Sequence, residues 1–152
     1  MHTTSSTLIL PSSHPSTLQI YSPSSSRLLY ELEVTPSNRV SRRDERPIEP
    51  PRVEKVVVSP GNWMATVDGC EEDEIFHAQR YLKIWWWDQK SCYWKLNSRI
   101  DRPHGLGGVT DLSFSSSSPV YLATAGEDGN VKIWGIRTAK NRAGEVDGKS
   151  IV

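Results

Sequence analysis

The clearest alternation of apolar and polar positions lies between Val109 and Trp134, VTDLSFSSSSPVYLATAGEDGNVKIW. It resolves into runs near 109–114, 120–125 and 131–135, each predicted to be a β-strand. Successive side chains of a strand point to opposite faces, so a period of two bounded by Gly, Asp or Asn marks one. Gly126-Glu127-Asp128-Gly129-Asn130 joins the second run to the third, and Asp-Gly is a strong hairpin signal. Upstream the pattern recurs. Thr7–Leu10, Leu18–Tyr21 and Arg27–Val34 form one group of runs; Val53–Ser59, Trp63–Asp68, Tyr81–Trp87 and Ser91–Ile100 form another. Leu18-Gln19-Ile20-Tyr21 has the apolar–polar–apolar–aromatic form of Val131-Lys132-Ile133-Trp134.

These groups divide the chain. Residues 1–34 read as a partial unit holding a second, third and fourth strand without a first. Residues 35–52 are a Pro/Arg-rich linker, whose prolines at 36, 47, 50 and 51 cannot donate to a ladder. Residues 53–101 form a unit with an acidic insertion at 69–80. Residues 102–136 form a unit expected to lack its outer strand, because 137–152 are polar and are expected to be a disordered tail. In Tyr81–Trp87 the alternation sends Trp85 and Trp87 one way and Trp86 the other. Indoles on both faces suit a sheet packed between two others better than an exposed base-stacking platform.

Set in register, the aromatic strand ends are Tyr21, Trp85 and Trp134, at intervals of 64 and 49 residues. Blades of about 40–45 residues with loop insertions give such spacings. Residues 104–134 resemble a WD40 repeat. That resemblance implies a hydrogen-bonded chain of His104, Thr124, Asp128 and Trp134, polar groups that satisfy one another where each alone would be costly to bury. The preceding unit keeps Thr66 and Trp85 but has no matching histidine, and its aspartate position falls in the insertion. The fold expected is all-β: a partial WD40 β-propeller of about two and a half to three blades of antiparallel strands, open rather than closed. Such a piece exposes apolar faces at both ends.

A narrower resemblance rests on LILPSSHPSTLQIYSP, SRRDERPIEPPRVEKVVVSPGNWMATVD, YLKIWWWD, LNSRIDRPHG and TAGEDGNVKIW. These segments resemble the Nan-one/Utp-seventeen family of nuclear WD-repeat proteins, with Arg99–Gly105 and the triple tryptophan as the most specific parts. The resemblance implies a non-catalytic scaffold of the small-subunit processome in the nucleolus, acting in pre-rRNA processing. The partners it implies are other UtpA subunits, with pre-rRNA or snoRNA as further candidates. Arg39, Arg42, Arg43, Arg46, Arg99 and Arg102 are the candidate RNA or partner contacts. A WD40 interaction adaptor unrelated to ribosome assembly is the alternative reading.

Composition narrows the chemistry. Eighteen basic and eighteen acidic residues cancel, so there is no overall electrostatic pull toward nucleic acid or an anionic membrane. Cys70 and Cys92 stand apart, without the CxxC or Cys/His spacing of a zinc site. Glu71-Glu72-Asp73-Glu74 lacks the interleaved glycine and spaced ligands of a calcium loop. Asp101–Gly108 is glycine-rich, but no Lys-Ser/Thr follows it as in a phosphate-binding loop. No nucleophile elbow, HExxH or paired-carboxylate signature occurs, so no enzyme activity, cofactor, metal or small-molecule substrate is expected. The apolar runs are too short to span a bilayer, and the first residues lack the plan of a signal peptide.

Overall fold

The computed structural model describes residues 7–36, 50–59, 62–70, 79–140 and 146–151, with side chains described as far as Gly135. Eleven strands follow in order: β1 (Leu8–Pro11), β2 (Thr17–Ser22), β3 (Arg27–Glu33), β4 (Arg52–Ser59), β5 (Trp63–Cys70), β6 (Gln79–Asp88), β7 (Tyr93–Asp101), β8 (Val109–Phe114), β9 (Tyr121–Gly126), β10 (Val131–Lys140) and β11 (Val146–Ile151). All pairings are antiparallel between neighbours in sequence. They give a three-stranded sheet β1-β2-β3 and two four-stranded sheets, β4-β5-β6-β7 and β8-β9-β10-β11. The turns are local and use left-handed backbone where the chain must reverse tightly, at Asn62 (φ 66°) and Gly129 (φ 76°).

The sheets stack in chain order, and the middle one is packed on both faces. Alternation in β5 and β6 sends Trp63, Ala65, Val67, Leu82 and Ile84 against Val109, Leu112 and Leu122 of the last sheet. The opposite face carries Met64 and Trp85 against Leu18, Ile20, Leu32 and Val34 of the first. This explains why Trp63–Gly69 is buried at every position instead of at every second one. First strands neighbour first strands (β4 beside β8), and last strands neighbour last strands (β7 beside β11). The outer edges of the first and middle sheets meet through Tyr30 and Tyr93, their rings 4.6 Å apart. Sheets placed side by side with matched strand order, none of them closed on itself, are blades of an open propeller, as the repeat pattern led us to expect.

Of the three adjacent tryptophans, Trp85 and Trp87 face the first sheet, and Trp86 points the other way with 38% of its surface exposed. The last blade corrects one expectation. Its outer strand is present: β11 pairs with β10, with Ile136 opposite Ile151 and Arg137 opposite Ser150, so 137–140 and 146–151 are strand where a tail was expected. The outermost strand of a blade is held mainly by backbone hydrogen bonds along one edge. It therefore does not need the apolar side chains whose scarcity suggested disorder. The faces turned away from the middle sheet are more open, with Leu8, Leu10, Leu28 and Leu29 exposed on the first sheet and Tyr121, Val131 and Ile133 on the last.

Leu82 is fully buried at the centre of the second interface, whereas Leu106 lies exposed in the loop before β8. Leu82→Ala is expected to cost about 2–5 kcal/mol of unfolding free energy. Leu106→Ala should stay within about 0.5 kcal/mol. Urea unfolding followed by tryptophan fluorescence measures both.

Candidate functional site

The loop between β7 and β8 carries His104 beneath the hairpin of the last blade, where the ring is almost wholly buried. Its Nδ1 lies 2.9 Å from Asp128 Oδ1, and its Nε2 lies 2.8 Å from Thr124 Oγ1. Trp134 Nε1–H donates to the same threonine oxygen at 3.1 Å. An ionised Asp128 can only accept, so Nδ1 of the neutral ring carries the proton and Nε2 accepts from the Thr124 hydroxyl. The four residues named from the sequence are thus in one continuous chain of hydrogen bonds. It runs from the partly exposed turn at Asp128 to the indole facing the middle blade.

Local structure holds each member in place. Asp128 accepts the Asn130 N–H at 3.0 Å, which closes the turn. Glu127 Oε2 accepts the Gly108 N–H at 2.6 Å and the Glu127 N–H donates to the Gly108 carbonyl at 3.0 Å, clasping the loop to the hairpin. Lys132 Nζ donates to the Pro103 carbonyl, immediately before the histidine. Gly126 is required by close approach: a Cβ there would stand 2.2 Å from His104 Nδ1. The Asn130 N–H, and after it the contact with His104, hold the Asp128 carboxyl down at about 2, below the ordinary 3.8.

The candidate contact residues are elsewhere. Arg39, Arg42, Arg43 and Arg46 lie outside the described residues. Arg99 is engaged by its own strand: its Nε and Nη2 meet the two Asp101 oxygens at 2.7 and 3.0 Å, and its guanidinium lies 4.5 Å over the Tyr81 ring. That fork lowers the Asp101 carboxyl and raises the guanidinium. Arg102 sits at the strand end with left-handed backbone (φ 51°), its N–H donated to the Arg80 carbonyl at 2.9 Å. Arg80, which is ion-paired with Glu54 at 3.3 Å, and Arg52, which lies across Gly69 from it, occupy the same end of the middle blade.

A second polar cluster was not foreseen from the sequence. Asp68 and Lys83 are buried in the middle blade and meet at 2.8 Å, beside Thr35. The available signal was the repeated Lys-x-Trp spacing, Lys83/Trp85 and Lys132/Trp134. Among the described residues no group of three or more His, Cys, Asp or Glu could hold a metal ion.

The model of one protein family, the second β-propeller of WD repeat-containing protein 75, matches residues 1–150. The chain belongs to that family. WD repeat-containing protein 75 of Xenopus laevis is 30% identical over 126 residues, covering 79% of this chain and 15% of the relative. The protein of that name from Danio rerio is 29% identical over 124 residues, 79% of this chain and 14% of the relative. U3 small nucleolar RNA-associated protein 17 of Schizosaccharomyces pombe is 35% identical over 82 residues, 50% of this chain and 10% of the relative. The chain therefore spans a small part of the length of these relatives.

Two outcomes follow for this member of the family. Removing the imidazole leaves the buried Thr124 hydroxyl without its acceptor and Asp128 without the ring N–H, so His104→Ala should cost about 1–3 kcal/mol in urea unfolding. The folded-state value of Asp128 lies below its ordinary one, so its stabilising contribution is complete above pH 3.8. It is lost as the pH falls through about 2. Asp88, held down to about 2 chiefly by its hydrogen bond from Lys95, acts in the same direction. Melting temperature should drop between pH 4 and 2, and Asp128→Asn should flatten that drop relative to the parent.

Proposed function

We propose that this chain is a non-catalytic WD-repeat scaffold of ribosome assembly, contributing blades to a platform on which other proteins, and with them small nucleolar or pre-ribosomal RNA, gather in the nucleolus. The observation that carries this reading is the family match across residues 1–150, in which one relative is named for association with the U3 small nucleolar RNA. The architecture supports it physically. Among the described residues, the buried polar side chains of the last blade, His104 and Thr124, are hydrogen-bonded to one another. His104 and the Thr124 hydroxyl it faces are shut away from solvent, which favours a structural role over that of a general base.

Arg99 and Arg102, with the linker arginines Arg39, Arg42, Arg43 and Arg46, are the proposed contacts to RNA or to neighbouring subunits. Phosphate contacts from arginine give salt-dependent, sequence-tolerant binding. Other processome subunits of the UtpA type are the proposed protein partners. The alternative, a WD40 adaptor outside ribosome assembly, shares the blades and differs in what they collect.

Affinity purification of the tagged chain from growing cells, with imaging of the same fusion, tests the proposal. The expected outcome is a nucleolar signal and recovery of small-subunit assembly proteins with U3 small nucleolar RNA. A diffuse cytoplasmic signal with unrelated partners would leave the adaptor standing instead. Arg102→Ala with Arg99→Ala is expected to reduce recovered RNA about tenfold or more at moderate salt while leaving the melting temperature nearly unchanged.

A further inference from the structure

Register places the two buried polar clusters at corresponding positions of neighbouring blades. In the middle blade Trp85 stands opposite Met64 and Lys83 opposite Thr66. In the last, Trp134 stands opposite Leu122 and Lys132 opposite Thr124. Asp68 therefore occupies the place of Gly126, each two residues beyond its threonine. The lysines extend the match across the blade boundary. Lys132 Nζ donates to the Pro103 carbonyl, and Lys83 Nζ donates to the Val34 carbonyl at 2.8 Å. Thr35, the residue after Val34, is then the counterpart of His104, the residue after Pro103.

We infer that Thr35, Asp68 and Lys83 form a second kind of inter-blade latch, doing in the middle blade what His104 and Asp128 do in the last. Lys83 is buried, 5% exposed, and its ammonium donates to the Val34 carbonyl, the Thr35 hydroxyl and Asp68 Oδ2, matching its three N–H groups to three acceptors. The Thr35 hydroxyl in turn donates to Asp68 Oδ2 at 2.5 Å. Trp85 Nε1–H still donates to Thr66 Oγ1, at 3.0 Å, so the aromatic half of the arrangement is common to both blades. Asp68 Oδ1 has no hydrogen-bond partner among the described residues, so the buried carboxylate is held through Oδ2 by Thr35 and Lys83.

The two solutions exclude each other. A Cβ at 126 would stand 2.2 Å from His104 Nδ1 and 2.7 Å from Asp128 Oδ1, so an imidazole at 104 demands glycine there. A carboxylate side chain at 68 fills the corresponding space, and the residue facing it is the much smaller Thr35. The exchange also lifts a constraint on the chain. In the last blade the short connection 127–130 must hold Asp128, four residues beyond Thr124, against the histidine. The matching position in the middle blade is Cys70, which no latch hydrogen bond uses. The connection from β5 to β6 is thus free to be longer, spanning 71–78 and carrying the run Glu71-Glu72-Asp73-Glu74.

Urea unfolding of the purified chain tests the latch. Lys83→Met and Asp68→Leu should each lower the midpoint, and the double variant should lose less than the sum, by about tenfold in the unfolding constant. Additive losses would overturn the inference. If the Asp68 variant fails to fold, the hydroxyl reads the same question. Thr35→Ser should match the parent and Thr35→Val should fall below it; equal midpoints for the two would remove Thr35 from the latch. Exclusivity is tested by Gly126→Ala, expected to destabilise strongly beside His104 and only mildly in a His104→Ala background. An equal loss in both backgrounds would refute it.

Discussion

The structure depends on one sheet having no free face. β5 and β6 run through the middle of the molecule with apolar side chains on both sides, and each side must be covered by another sheet. Burial of this kind removes the usual option of a solvated polar face, so the neighbouring blades are held by the same residues that form the sheet. The stacking of three sheets, the pairing of first strands with first and last with last, and the burial of Trp63 and Trp85 on opposite faces all follow from it.

Two-sided burial leaves a difficulty at the blade boundaries, where a loop crosses from one sheet to the next. Its backbone carbonyls and the polar side chains beside it are shut away from water and need partners. The protein meets this twice with different chemistry: an imidazole between a carboxylate and a hydroxyl in the last blade, an ammonium between a carboxylate, a hydroxyl and a carbonyl in the middle one. In each blade a tryptophan N–H is bonded to a threonine on the adjacent strand. The ionic version costs more to desolvate and is harder to replace singly, since loss of either partner strands the other charge.

These commitments bear on function. A propeller blade whose buried polar groups are occupied with structure offers its loops, rims and outer faces for recognition. The arginine-bearing end of the middle blade is the surface of that kind best defined in the described residues. Its charges are partly tied to Glu54 and Asp101, which fixes their positions and moderates their pull on an anion. These blades are a small share of the length of the relatives they match.

Much of this was legible in the one-dimensional pattern. Alternation located the strands, the Asp-Gly turn located the last hairpin, and the resemblance to a WD40 repeat implied the hydrogen-bonded set of His104, Thr124, Asp128 and Trp134. Local pattern also failed in identifiable ways. The polar strand β11 was missed, since backbone pairing along an edge leaves little trace in side-chain character. The linker arginines stay outside the described residues. Thr35, Asp68 and Lys83 lie up to 48 residues apart and look unremarkable in the chain, a threonine before a proline, an aspartate before a glycine and a lysine between apolar residues. Sequence determined which segments become strands and which face of each is apolar, because those depend on neighbours two residues away. Only the stacked sheets decided which charges meet, because burying an ammonium or a carboxylate is tolerable solely where another element brings its partner within hydrogen-bond reach.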